Sequence, residues 1–216
     1  MNYKQNYIFY HPFLEQIFDK FPLLKEQIIF YFTSLYAEKD RCIRAPYRMI
    51  GDMTLMYGIL WKNEKGEDCL IPVTCEHLNL WKKQEEELFA AARENTPRLL
   101  PVCLRPMGEF LRDFLSTEEK RVMEEEIYVL TNSRGYLGAA AMLYEGVLER
   151  FSARVGADLY ILPSSIHEVI LLPFQGQKKE FLQEMVEEIN KKEVPCSDIL
   201  SNRVYQYSKK SGTIIV

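Results

Sequence analysis

Two apolar runs, Asp158–Pro163 (DLYILP) and Glu168–Pro173 (EVILLP), are joined by just four residues, Ser164-Ser165-Ile166-His167. Runs this short suit strands better than helices, and a link this short turns the second back along the first. A hairpin is therefore expected. Upstream, Ile127–Thr131 (IYVLT) reads as a strand ending at Asn132. Gly138-Ala139-Ala140-Ala141 then opens a helix on which Ala140, Tyr144, Val147, Phe151 and Val155 recur at helical spacing. Its small first residues would let the backbone approach a sheet closely. Gly146 interrupts the pattern at a cost of about 1 kcal/mol relative to Ala, so a kink or break is expected there. Gly156 closes the helix. This strand–helix–strand–strand centre, Ile127 to Pro173, constrains the fold more than any other stretch.

The flanking sequence adds elements of the same kinds. Tyr7–Lys25 carries Phe13-Leu14, Ile17-Phe18 and Phe21 at amphipathic-helix spacing. Gln27–Tyr36 (QIIFYFTSLY) reads as a strand, and the charged Glu38–Tyr47 stretch, with Pro46, as a loop. Met53–Trp61 and Cys69–Thr74 flank the polar Lys62–Asp68 loop and form another hairpin, in which Pro72 predicts an unpaired edge or a bulge. A helix is expected from Glu76 to Asn95, capped by Thr74 and stopped by Asn95-Thr96-Pro97. Pro101–Met107 is a short strand and Gly108–Leu115 a short helix. Phe181, Leu182, Met185, Val186 and Ile189 mark a closing helix, and Arg203–Tyr207 with Thr213–Val216 a terminal hairpin.

The whole reads as one α+β domain, 1–216, with a largely antiparallel sheet and helices packed on one face. Residues 53–107 and 158–207 share the order hairpin, helix, strand, without sharing residue identities. Halves 28–115 and 127–216, joined by the charged linker 116–126, are thus a candidate structural pseudo-repeat. A chain of 216 residues buries roughly 70% of its unfolded surface and needs neither disulfide nor metal to hold its core.

Composition narrows the function classes. A net charge of −4, with basic residues scattered among acids, argues against nucleic acid as a partner. No apolar run approaches the roughly 18 residues that would span a bilayer, so no membrane partner is expected. The five cysteines (Cys42, Cys69, Cys75, Cys103, Cys196) are odd in number and contain no CxxC pair. Met1-Asn2-Tyr3-Lys4-Gln5 leads into no export signal. Reduced thiols in the cytoplasm are the expectation.

Five strings carry a resemblance: RENTPRL (Arg93–Leu99), YVLTN (Tyr128–Asn132), GAAAMLY (Gly138–Tyr144), LPSSIHEVILLP (Leu162–Pro173) and ILSNRVYQY (Ile199–Tyr207). In this order and spacing, over roughly residues 28–216, the chain resembles a family found mainly in clostridia, domain of unknown function 5688. The resemblance implies a bacterial cytoplasmic setting and brings no catalytic residue or cofactor with it. Members often have a longer N-terminal region. Trp81-Lys82-Lys83-Gln84 stands where similar sequences often place a Gly after the Trp.

The candidate site is the turn of the central hairpin. Ser164, Ser165, His167 and Glu168 place hydroxyls, a base and a carboxylate within five residues. Asn132 and Asn95 are candidate partners for it. Side chains in one tight turn alternate in direction, and no GxSxG elbow is present, so the residues read first as turn formers. His11, His77 and His167 lie far apart with no HExxH, so no metal is expected. The glycines lack a phosphate-loop pattern, so no cofactor is expected either. Two functions stay open: a non-enzymatic domain that binds a protein or peptide, and a small hydrolase or transferase using Ser164 or Ser165 with His167 and Glu168.

Overall fold

A computed structural model describes residues 20–36, 44–63, 65–110, 127–163 and 165–215. The expected Tyr7–Lys25 helix up to residue 19, the expected Glu38–Tyr47 loop up to residue 43, the expected Gly108–Leu115 helix beyond 110, the linker 116–126 and Ser164 lie outside them. The described chain is α+β, and its sheets are antiparallel. Among the described residues one compact unit takes those up to Tyr31, residues 44–49 and Leu55–Leu99. The other takes residues 32–36, Ile50–Thr54 and the chain from Leu100.

The first sheet contains β1 (Ile28–Thr33), β2 (Tyr47–Ile50), β3 (Met53–Lys62) and β4 (Asp68–Pro72), with β3 pairing all three others. β3 and β4 form the expected hairpin, from Gly58 opposite Pro72 to Lys62 opposite Asp68. Among the described residues β4 has no other partner in the sheet, so the missing N–H of Pro72 falls on an edge. β2 overlaps the expected loop at Tyr47 only and is otherwise unanticipated: its four residues alternate exposed and half-buried, too short a pattern to be legible.

Ahead of β1 a single helical turn, α1 (Phe21–Leu24), buries Phe21 and Leu24. The helix expected from Glu76 to Asn95 is two helices, α2 (Cys75–Trp81) and α3 (Glu85–Leu99). They part at Lys82, whose φ of 53° is left-handed. Thr74 caps α2 in a capping box: its hydroxyl accepts from the His77 N–H, and its own N–H donates to His77 Nδ1 at 2.9 Å. Thr74→Ala should lower stability by about 1 kcal/mol, read as a shift in the urea midpoint. An unchanged midpoint would show that the packing of Trp81 against Phe21, at 5.4 Å, holds this helix alone.

Asn95-Thr96-Pro97 does not stop α3, which continues to Leu99. The residue before Pro is disfavoured in a helix rather than excluded from it, and long-range bonds outweigh the preference here. Asn95 donates to the carbonyls of Lys25 (2.8 Å) and Ile28 (3.2 Å). The Thr96 hydroxyl donates to Ala92 O and accepts the Phe30 N–H at 3.1 Å. The triplet docks the helix onto the start of β1.

In the second unit the six-stranded sheet runs β10-β9-β7-β8-β6-β5. Its strands are β5 (Val102–Pro106), β6 (Tyr128–Asn132), β7 (Leu159–Leu162), β8 (Val169–Pro173), β9 (Tyr205–Ser208) and β10 (Thr213–Ile215). The central hairpin pairs Leu159 with Pro173 and Leu162 with Ile170, and β6 lies on the far side of β8. The short helix α4 (Met107–Phe110) follows β5. Residues 138–155 are two helices, a 3-10 stretch (Gly138–Leu143) and α5 (Val147–Val155), broken at Gly146, the position expected to weaken the pattern.

Helices cover both faces of this sheet rather than one. Tyr160 and Leu162 pack on Leu182 and Val186 of α6 (Lys179–Lys192). Their neighbours Leu159 and Ile161 point the other way. Ile161 shares that face with Leu171 and Tyr128, whose ring meets Phe151 of α5 at 4.7 Å. All four residues of β7 are buried, as double coverage requires.

Candidate functional site

The turn between β7 and β8 is pinned by its surroundings. Ser165 bridges Ile199, and the Ile166 N–H donates to Asp198 O at 2.8 Å. Buried Ser165 accepts the His167 N–H on its hydroxyl at 3.0 Å, a local turn bond. His167 Nδ1 accepts the Leu137 N–H at 3.2 Å, and Nε2 lies 3.7 Å from an Asp198 carboxylate oxygen. An accepting Nδ1 assigns the proton of the neutral ring to Nε2, on the Asp198 side. The Tyr136 ring sits 5.2 Å from the imidazole, and Thr131 donates to the His167 carbonyl. Burial pushes the Glu168 carboxyl up, while His167 and a Ser165 hydrogen bond oppose that rise.

Asn132 joins this cluster through its loop. It donates to Tyr136 O and accepts the Arg134 N–H, so it shapes the segment that presents Tyr136 and Leu137 to His167. Asn95 belongs to the first unit and is committed to Lys25 and Ile28. A hydrolytic triad needs a Ser hydroxyl on a ring nitrogen. Among the described residues no Ser hydroxyl bonds either nitrogen of His167; one takes a backbone amide and the other faces Asp198. The group works as a staple, holding Leu137 at a left-handed φ of 53°.

A second cluster escapes sequence reasoning. Asp52, in the turn between β2 and β3, accepts hydrogen bonds from the Ser201 hydroxyl (2.8 Å) and from the Tyr205 hydroxyl. The Asp52 N–H donates back to Tyr205 at 3.0 Å. Gly51 makes this approach feasible, because a Cβ there would overlap the Tyr205 ring at 2.6 Å. Arg203 Nε stands 3.7 Å from Asp52, and the Arg203 N–H donates to Ser201. From α6, Gln183 accepts the Val204 N–H and donates to the Asn202 carbonyl, imitating a strand partner for the chain entering β9.

Asp52, Gln183, Asn202, Arg203 and Val204 wall a cleft of about 450 Å³ that Leu35, Lys179 and Glu187 complete, while Ser201 and Tyr205 are buried and hold Asp52. The sole sequence signal was that Ser201, Asn202, Arg203 and Tyr205 all fall in ILSNRVYQY, one of the five strings behind the resemblance.

Burial, and then the bond to Asp52, pushes the Tyr205 phenol up to about 12. A phenol raised above its unfolded value near 10 favours the neutral folded form. Its contribution is complete below about pH 10 and is lost as pH rises toward 12. Tyr205→Phe should therefore flatten part of the fall in urea midpoint over that interval. Tyr57, Tyr144, Tyr160 and Tyr207, also raised by burial, keep part of the slope in the variant. An identical slope in the variant would contradict the assignment.

Among the described residues no group of three or more His, Cys, Asp or Glu is arranged to hold a metal, and no helix is long and apolar enough to cross a membrane. No curated protein and no solved structure matches the chain. A family model does match, over residues 3–209, nearly the whole length, and the chain belongs to the Family of unknown function (DUF5688).

Proposed function

We propose that this protein is a bacterial, cytoplasmic, non-enzymatic domain that binds a protein or peptide segment in the cleft beside α6. The observation that supports it most is how the cleft's polar groups are used. The Asp52 carboxylate is held by the buried Ser201 and Tyr205 hydroxyls, and the Gln183 amide is held by the Asn202 carbonyl and the Val204 N–H. Groups spent in this way preorganise a surface and leave no nucleophile–base pair poised for turnover. The volume suits a few side chains of an extended segment. The acidic balance disfavours nucleic acid, and the unpaired Cys69, Cys75, Cys103 and Cys196 suit a reducing compartment.

The test is panning of a random peptide library on the wild type and on Leu35→Trp, which fills the cleft from an exposed wall position. Sequences should enrich on the wild type and not on the variant. No enrichment, or equal enrichment on both, would overturn the proposal.

A further inference from the structure

We infer that the ligand of this cleft is an acidic peptide segment whose carboxylates are taken by Lys179 and Arg203. The inference rests on the reading of the cleft as a peptide site and adds the chemistry of what enters it.

Several of the cleft's acceptors are engaged. Asp52 receives two hydroxyls, Glu187 receives the Gln183 amide at 3.0 Å, and the Asn202 side-chain oxygen receives Asn190 at 2.8 Å. Its strong donors are not. Among the described residues Lys179 has no ion-pair or hydrogen-bond partner for its amine. Arg203 reaches Asp52 with Nε alone, at 3.7 Å, and its side chain is 59% exposed. The terminal nitrogens of its guanidinium bond no described residue, leaving the edge that grips a carboxylate with two parallel hydrogen bonds. The free ammonium and the free guanidinium edge select an acceptor-rich ligand.

Two further features favour a peptide over other anions. Lys179 opens α6, where Lys178 at the N-cap offers no side-chain acceptor and Glu180 in the first turn offsets part of the positive end of the helix dipole. At the same time the charges of Asp52 and Glu187 offset those of Lys179 and Arg203, so the wall as a whole is balanced. A balanced wall repels a polyanion less than an acidic one would, but it draws it no more than bulk surface does. Discrete carboxylates placed against the two cations, with apolar residues meeting Leu35 and Val204, fit it well.

Fluorescence polarisation on the full chain tests this with three probes. One is a labelled octapeptide of alternating Glu and Leu, one its Gln/Leu counterpart, and one a single-stranded oligonucleotide. The acidic peptide should bind at least about tenfold tighter than its counterpart. Lys179→Gln and Arg203→Gln, both at solvent-accessible positions, should each weaken it about tenfold and leave the counterpart unchanged. Circular dichroism melting confirms that each variant folds. Equal binding of the two peptides overturns the carboxylate chemistry while leaving a peptide site standing. Absence of binding by either peptide overturns both. Oligonucleotide binding abolished by Lys179→Gln would overturn the assigned occupant.

Discussion

Gly138→Ala should destabilise the second unit by about 3 kcal/mol, a fall of roughly 10 °C in Tm. Gly138 sits where the 3-10 helix meets the central sheet. A Cβ there would lie 2.6 Å from both Asn132 N and His167 O, and nearer still to the Thr131 hydroxyl. Two of the three obstacles are backbone atoms of β6 and of the hairpin turn, which no rotamer change can move. The control is Gly156→Ala. Gly156 has a φ of 76° but nothing within 4 Å of its would-be Cβ, so that variant should lose only about 1 kcal/mol. Calorimetry of both proteins separates steric closure from backbone conformation. Equal losses would mean that the close approach at Gly138 does not hold these elements together.

Glu85→Ala should have the next largest effect, about 2–3 kcal/mol in the first unit. Glu85, at the start of α3, accepts from the hydroxyl of the fully buried Tyr57 and from two nitrogens of Arg48, at 3.1 and 2.7 Å. The Arg48 guanidinium also lies 4.0 Å over the Phe89 ring. Removing the carboxylate strands a buried hydroxyl and a half-buried cation together. Tyr57→Phe removes the hydroxyl with its need for a partner and should cost about 1 kcal/mol. In the double variant the losses should sum to less than the two singles, because both report on one bond. Chemical unfolding of the three variants supplies the cycle, and strict additivity would contradict the network.

The hairpins were legible from sequence because their information is local. Asp158–Pro163 and Glu168–Pro173 are short, mostly apolar runs, and a four-residue link leaves few ways to join them. Gly146 and Gly156 marked helix boundaries for the same reason. Asn95-Thr96-Pro97 misled because its partners, Lys25, Ile28 and Phe30, lie 66 to 70 residues away. Nothing near the triplet reveals that its amide and hydroxyl are buried. Covering both sheet faces was likewise invisible: whether Leu159 and Ile161 meet helix or water depends on the path of the chain through α5.

The candidate site followed the same rule. Ser165, His167 and Glu168 attracted notice because they adjoin in sequence, and adjacency made them a staple for Leu137. Asp52 is separated from Ser201 by 149 residues and from Tyr205 by 153. Only the return of the chain after α6 brings them together. A Gly-Asp pair before a strand reads as an ordinary turn until Tyr205 is seen above it.

On the proposed reading, ligand enters the cleft beside α6 and not the His167 turn. Amide chemical shifts of ¹⁵N-labelled protein, titrated with a peptide selected from the library, test it most directly. The shifts should concentrate at Lys179, Gln183, Arg203 and Val204 and leave Leu137 and His167 in place. Shifts centred on Leu137, His167 and Glu168, with the α6 signals unmoved, would contradict it.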